Sequence, residues 1–338
     1  MNIDDLFARW DRPDTPGCAV GVYRGGETAF ARGYGCANLD LGTPITPETA
    51  FDTASLSKQF TGACIAMLAE EGRLSLRDDV RAYVPELHRY PRITVAQCLS
   101  HTSGLPDSFQ VMTSRGIDES CHPSRAALFT GFLPSRLDFA PGTRWSYSNS
   151  GYFALARVVE ELAGMSLPTF ARKRIFEPLD MRDTLYDDGT TIVIPRKAVG
   201  YRRRGRSYKP YLLEHNIVGA GSVHSTITDL AKWDRNFIAN RLSGNQHLIR
   251  RMCTPFHNAN VKEGLERFGP GKYAYGLVVG HHKDEPFSWH SGSIVGYRCG
   301  MIRFPRKHLT VAVLANLIRD EIDAPGLAMR VAHQYLRD

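Results

Sequence analysis

Long apolar runs are missing from this 338-residue chain. No stretch reaches the roughly 18 to 20 apolar residues that a membrane-crossing helix needs, so no spanning helix is expected. Paired cysteine spacing is missing too. The seven cysteines, Cys18, Cys36, Cys64, Cys98, Cys121, Cys253 and Cys299, are odd in number, scattered, and include no C-x-x-C. That distribution argues against a disulfide framework and a structural zinc site, and it fits small buried side chains in a reducing compartment. The chain has no H-E-x-x-H, and His281-His282 reads as a surface turn, so no metal is expected. It has no G-x-S-x-G elbow, which disfavours an α/β-hydrolase, and no phosphate-cradling glycine loop, so no nucleotide cofactor is expected. The opening Met1-Asn2-Ile3-Asp4-Asp5-Leu6 is acidic and lacks a signal-peptide apolar stretch, which sets the expectation of a cytoplasmic protein.

What is present is the composition of a folded globular protein, 43% apolar and 23% charged. The formal net charge is +7, and the densest basic run is Tyr201-Arg202-Arg203-Arg204-Gly205-Arg206. With no nucleic-acid motif beside it, this run reads as a solvated loop. The expected partner is a small molecule or short peptide, with no nucleic acid; the oligomeric state stays open.

Periodicity divides the chain. After a short amphipathic helix around Leu6, Phe7 and Trp10, Gly17 to Gly35 reads as two strands about a Gly25-Gly26 turn. From Ser55 the pattern is helical, with Phe60, Cys64, Ile65 and Leu68 on one side and Gly72 as the stop. Helices and polar loops continue to about residue 190, including Ser124 to Phe132 and Tyr152 to Leu162. Strands return at Ala274 to Val279, Phe287 to His290, Arg298 to Phe304 and Leu309 to Ala315, and a helix from Pro325 to Leu336 closes the chain. The expected fold is α/β: an antiparallel sheet formed from both chain ends and flanked by helices, with an inserted, mainly helical lobe. The expected division is a sheet lobe from 1–52 and 195–338 and a helical lobe from 53–194.

Three segments carry chemistry. In Thr53-Ala54-Ser55-Leu56-Ser57-Lys58, positions three apart share a helix face, so Ser55 and Lys58 can point at one spot. A serine hydroxyl needs such a neighbouring base to become a nucleophile, and a helix start supplies N–H groups for developing negative charge. The second segment, Ser146-Tyr147-Ser148-Asn149-Ser150-Gly151, reads as a polar loop that can aim Tyr147 and Asn149 into a cleft. A phenol beside a lysine ammonium is expected to have its pKa lowered and to relay protons. The third, Trp289-His290-Ser291-Gly292-Ser293, ends a strand. Its glycine leaves room for a substrate backbone, and the Ser293 N–H can join that of Ser55 in an oxyanion hole.

In order and spacing these segments resemble the serine β-lactamase and penicillin-recognising family, which carries S-x-x-K, Y-x-N and a K-T-G or H-x-G strand. Leu99 to Pro106, Phe139 to Gly142 and Gly219 to Ser222 are similar to it as well, so the resemblance runs along nearly the whole chain. The branch it resembles contains class C β-lactamases, D,D-peptidases, D-aminopeptidases and esterases. The resemblance implies an acyl-serine mechanism: Ser55 acylated, Lys58 and Tyr147 sharing the base and acid roles, Asn149 holding Lys58 and the substrate amide, and His290, Ser291 and Gly292 along the substrate. His290 stands where β-lactamases carry a lysine, so the expected activity is that of an esterase, D-aminopeptidase or D,D-peptidase with weak β-lactam turnover. Acyl transfer to an amine or alcohol would use the same residues. A non-catalytic sensor of this fold would be expected to have lost one of the three elements, and all three are present.

Overall fold

The computed structural model describes residues 2–117, 124–133, 135–189, 193–212, 217–243, 245–262, 267–318 and 320–337. Its opening hairpin follows from its residues. After α1 (Ile3–Phe7), β1 (Cys18–Arg24) is rich in Val and Tyr and almost wholly buried, whereas β2 (Glu27–Tyr34) is largely exposed. Such a pair forms where one strand lies inside a sheet and the other at its edge. Short strands β3 (Cys36–Asn38), β4 (Thr43–Pro44) and β5 (Phe51–Asp52) lead to a 3-10 turn, Ala54–Ser57, and to α2 (Lys58–Glu70). Helices then dominate: α3 (Val95–Leu99), α4 (Ser108–Ser114), α5 (Arg125–Gly131), α6 (Asn149–Ala163) and α7 (Leu167–Ala171). Eleven residues of α2, from Lys58 to Leu68, are all buried, which makes it the central helix of this region.

The chain returns through β6 (Leu185–Tyr186), the hairpin β7 (Tyr201–Arg204) and β8 (Ser207–Pro210), and β9 (Val223–Ser225), followed by α8 (Ile227–Ile238) and α9 (His247–Cys253). Then come β10 (Gly271–Tyr273), β11 (Val278–His282), β12 (Glu285–Ile294), β13 (Tyr297–Phe304), β14 (Leu309–Ala315) and α10 (Ala324–Tyr335). The main sheet has seven strands in the order β10-β11-β12-β13-β14-β1-β2, every neighbouring pair antiparallel. It is therefore an antiparallel sheet built from both chain ends. Every residue of β14 is buried, as expected for a central strand covered on both faces. Register shows how the faces are covered. Gly300 meets Pro325 of α10 on one face, while Gly21 meets Ile227 of α8 on the other.

The hairpin, the 309–315 strand and the closing helix stand where the sequence places them. Four expectations are corrected. Of the strand expected over 274–279 only 278–279 is strand: β10 ends at Tyr273, the chain turns at 274–277, where the Ala274 N–H donates to the Leu277 carbonyl, and β11 begins at Val278. His281 and His282 end β11 rather than forming a turn, and His282 Nε2 lies 3.0 Å from His333 Nε2 on α10. The basic run is no loop either: Tyr201–Arg204 is a strand whose three arginines are exposed. Helix α6 begins at Asn149, not near Tyr152, which shortens the expected polar loop. Among the described residues no helix is long and apolar enough to cross a membrane, and no cluster of three His, Cys, Asp or Glu side chains could hold a metal. Six cysteines are free; Cys121 lies outside the described residues.

Candidate active site

The three-stranded sheet β5-β9-β6 anchors the turn that carries Ser55. Thr53 Oγ1 donates to the Val223 carbonyl at 2.8 Å, and the Val223 N–H donates to Ser57 Oγ at 3.0 Å. Between these ties Ala54 adopts φ +48°, a left-handed conformation that is costly for any residue with a Cβ. Asp52 Oδ1 holds it there by accepting the Ala54 N–H at 2.7 Å. Ser55 thus lies in a 3-10 turn rather than in the expected α-helix. In that tighter helix residues three apart eclipse one another, so Ser55 and Lys58 stack along one line. Lys58 Nζ is 3.1 Å from Ser55 Oγ.

Lys58 is fully buried, and its amine is held by two carbonyl oxygens besides Ser55: Asn149 Oδ1 at 2.8 Å and the Ala220 backbone at 2.7 Å. The turn presenting Ala220 sits close on α6 because Gly219, at φ +102°, has no Cβ; one there would lie 2.5 Å from the Tyr152 carbonyl. Burial pushes the Lys58 pKa down to about 7, partly opposed by Asp107. A neutral amine has two N–H bonds and one lone pair. With both N–H bonds committed to carbonyls, the lone pair faces the Ser55 hydroxyl.

Tyr147 lies under this amine, its ring centroid 4.9 Å from Lys58 Nζ. Its pKa is raised, not lowered as the sequence suggests, because burial of the phenol outweighs the pull of neighbouring Ser55. Among the described residues the buried hydroxyl makes no hydrogen bond of full geometry, and Ser55 is its polar neighbour. His101 fixes the segment bearing Tyr147. Its carbonyl accepts the Ser146 N–H at 3.0 Å, its Nδ1 accepts the Ser148 N–H at 3.2 Å, and its ring lies 4.3 Å from that of Tyr147.

β12 closes the other side. Beyond Trp289 it has lost its partner β11 and pairs with β13 alone, so the 290–293 stretch borders the site. Gly292 is required by the protein itself, not by a substrate: a Cβ there would lie 2.2 Å from the Thr53 carbonyl and 3.1 Å from Ala54 Cβ. The strand presses directly on the Ser55 turn. His290 is buried, with Nε2 accepting from the Tyr273 hydroxyl at 2.7 Å and Nδ1 donating to the Ser291 carbonyl at 2.6 Å. Burial and Lys58 hold its pKa near 3, so the imidazole is neutral. The side chain of Ser291 is not brought to the site. It is paired with Gly300, whose face is covered by α10.

A cavity of about 390 Å3 opens in front of Ser55, lined by Asn149, Ala220 and Ser293 and walled by Phe109, Tyr211 and Val295. Ser55 and Ser293 therefore border the same space. Phe109 and Tyr211 belong to the segments 107–117 and 193–212, while 118–123 and 190–192 lie outside the described residues. Two residues beside the site carry no role in the sequence reading. Asp107 accepts both the Asn149 N–H, at 2.6 Å, and its side-chain amide, at 2.8 Å. His101 is the other. Asp107 carries a sequence signal, an N-cap acid after Pro106 opening α4, but that signal speaks of a helix start and not of a site.

The large antiparallel sheet flanked by helices is a fold shared with penicillin-binding proteins. The octameric penicillin-binding protein homologue from Pyrococcus abyssi superposes with a TM-score of 0.85 at 28% identity, over 99% of this chain and 76% of that one. D-amino acid amidase from Ochrobactrum anthropi SV3 shares the fold at a TM-score of 0.78 and 20% identity, over 99% of this chain and 98% of that one. The chain belongs to the Beta-lactamase family, whose model matches residues 4–335. Curated relatives include a D-aminopeptidase of Gluconobacter oxydans, 27% identical over 89% of this chain and 56% of that protein. Protein flp of Staphylococcus aureus (strain N315) is 26% identical over 89% of this chain and 60% of that protein. The chain thus spans less than two thirds of the length of these relatives.

Proposed function

We propose that the protein is a serine hydrolase that cleaves short acyl esters or D-amino-acid derivatives through an acyl-Ser55 intermediate. The observation that carries this reading is the buried Lys58 amine, with a pKa near 7, 3.1 Å from the Oγ of Ser55, which itself borders an open cavity. At neutral pH about half of such an amine is unprotonated and can take the serine proton.

In the proposed reaction Ser55 Oγ attacks the acyl carbon while its proton passes to Lys58 Nζ. The carbonyl oxygen becomes an oxyanion held by the Ser55 and Ser293 N–H groups. Collapse breaks the bond to the leaving group, which takes a proton relayed from Lys58 through Tyr147; the raised Tyr147 pKa keeps this phenol protonated and able to donate. Water entering from the cavity then loses a proton along the same route and attacks the acyl carbon, and the proton returns to Ser55 as the acid departs.

The neutral His290 supports the preference for esters and aminoacyl groups over β-lactams, since no cation stands at that position to meet a substrate carboxylate. The family relationship to a D-aminopeptidase favours the same class. The test is intact-mass analysis after exposure to a p-nitrophenyl ester, followed by a panel of short-chain esters, D-alanyl amides and a chromogenic cephalosporin. The expected result is an acyl adduct at Ser55 and ester turnover well above cephalosporin turnover. An adduct at another residue would overturn the assignment.

A further inference from the structure

We propose that Asp107 is a positioning residue for this reaction, aiming the Lys58 lone pair at Ser55 by fixing which way the Asn149 amide faces. The inference rests on the proposed acyl-serine chemistry and goes beyond it, since no motif includes Asp107.

The side chain of Asn149 has a carbonyl on one end and an amine on the other, and the two are nearly equal in shape. What decides its orientation is the pair of groups on either side. Asp107 Oδ2 only accepts, and it takes both the backbone N–H and the Nδ2–H of Asn149. The amide oxygen is left to face Lys58, whose N–H donates to it at 2.8 Å. Asp107 is itself immobile: it is buried and N-caps α4, its Oδ1 accepting from the Phe109 and Gln110 N–H groups at 3.0 and 3.2 Å. Both of its oxygens are thus committed, one to the helix and one to Asn149.

If Asn149 turned over, an N–H would face the Lys58 amine. One of the two carbonyls that pin its N–H bonds would vanish, and the lone pair would be drawn toward Asn149 and away from Ser55. Asp107 also supplies negative charge near Lys58. The other titratable groups around that amine are Tyr147 and Tyr152 beneath it and the imidazoles of His101 and His290, both held neutral by burial. Asp107 is therefore the carboxylate opposing desolvation of the Lys58 ammonium.

Asp107→Asn and Asp107→Ser both keep a good helix cap, so the fold should hold while the lock on Asn149 is lost. With p-nitrophenyl acetate and the full chain, kcat/KM is expected to fall about tenfold or more, mainly in kcat. Its acid limb should move down by about one pH unit, because removing the anion disfavours the ammonium. In an Asn149→Ala background Asp107→Ser should lower kcat/KM by less than about twofold, since the residue it acts through is gone. The Lys58 titration, followed by NMR of 13C-labelled lysine, needs no turnover and should show the same downward shift. An unmoved Lys58 titration, or an undiminished loss in the Asn149→Ala background, would overturn the proposal. Turnover that survives Ser55→Ala would instead overturn the hydrolase reading and leave the lysine titration to decide the role of Asp107.

Discussion

The two sides of the Ser55–Lys58 pair are built from different material. Behind it stand His101, Tyr152, Tyr273 and His290, all buried, packed ring against ring and held uncharged. In front lies the open cavity with Phe109, Tyr211, Ile217 and Val295 as apolar walls and Arg298 and Asp320 at its border. The inner wall sets the protonation of Lys58, because a low-dielectric surrounding without a counter-charge in contact is what lowers an amine pKa. The outer wall touches only what enters. Chemistry should accordingly be sensitive to the inner side, and substrate choice to the outer.

Substitutions on either wall put that contrast to the test. The largest effect is expected at the centre: Ser55→Ala should reduce ester turnover by about 10^4-fold or more, measured by release of p-nitrophenol. Lys58→Met should lower the acylation rate about 10^3-fold in a stopped-flow burst. The same variant tests the inner wall through stability. A lysine whose folded pKa is depressed to about 7 binds fewer protons folded than unfolded between that value and its ordinary 10.5. Wild-type stability from this group therefore rises as pH climbs from about 7 to 10 and is lowest below 7. The melting temperature of Lys58→Met relative to wild type should be highest near pH 6 and fall steadily toward pH 10; a constant difference would contradict the buried neutral amine.

Gly292→Ala comes next. A methyl group 2.2 Å from the Thr53 carbonyl forces the strand and the Ser55 turn apart. Loss of about 10- to 100-fold in kcat/KM is expected, with destabilisation of about 1–3 kcal/mol by chemical denaturation. The smallest effect belongs to the outer wall: Phe109→Ala should change the preference between acetyl and longer acyl esters, with kcat on the best ester altered less than about fivefold. A Phe109→Ala loss as large as that of Gly292→Ala would erase the distinction between the walls.

This contrast also explains what could be seen in the sequence. β1, β2 and β14 were legible because they carry apolar or turn residues in a period the backbone imposes, and α10 because its apolar positions repeat. That Ser55, Lys58, Tyr147 and Asn149 lie together was legible from their motifs, because the proposed proton transfer admits few residue types. The strained Ala54 was not, since a left-handed φ at alanine leaves no mark on residue identity. His101 and Asp107 were not assigned roles because their importance lies in contacts 40 or more positions away along the chain. The rise in the Tyr147 pKa also escaped: proximity to a lysine can be guessed from a motif, whereas burial is a property of the finished core.

If a neutral Lys58 amine activates Ser55, the rate of Ser55 acylation must follow the deprotonation of that amine. Labelling by a p-nitrophenyl ester, read as intact mass against pH, should place the adduct at Ser55 with a rate that rises through a midpoint near 7 and is lost in Lys58→Met. A midpoint far from 7, or labelling that persists at full rate without the lysine, would contradict it.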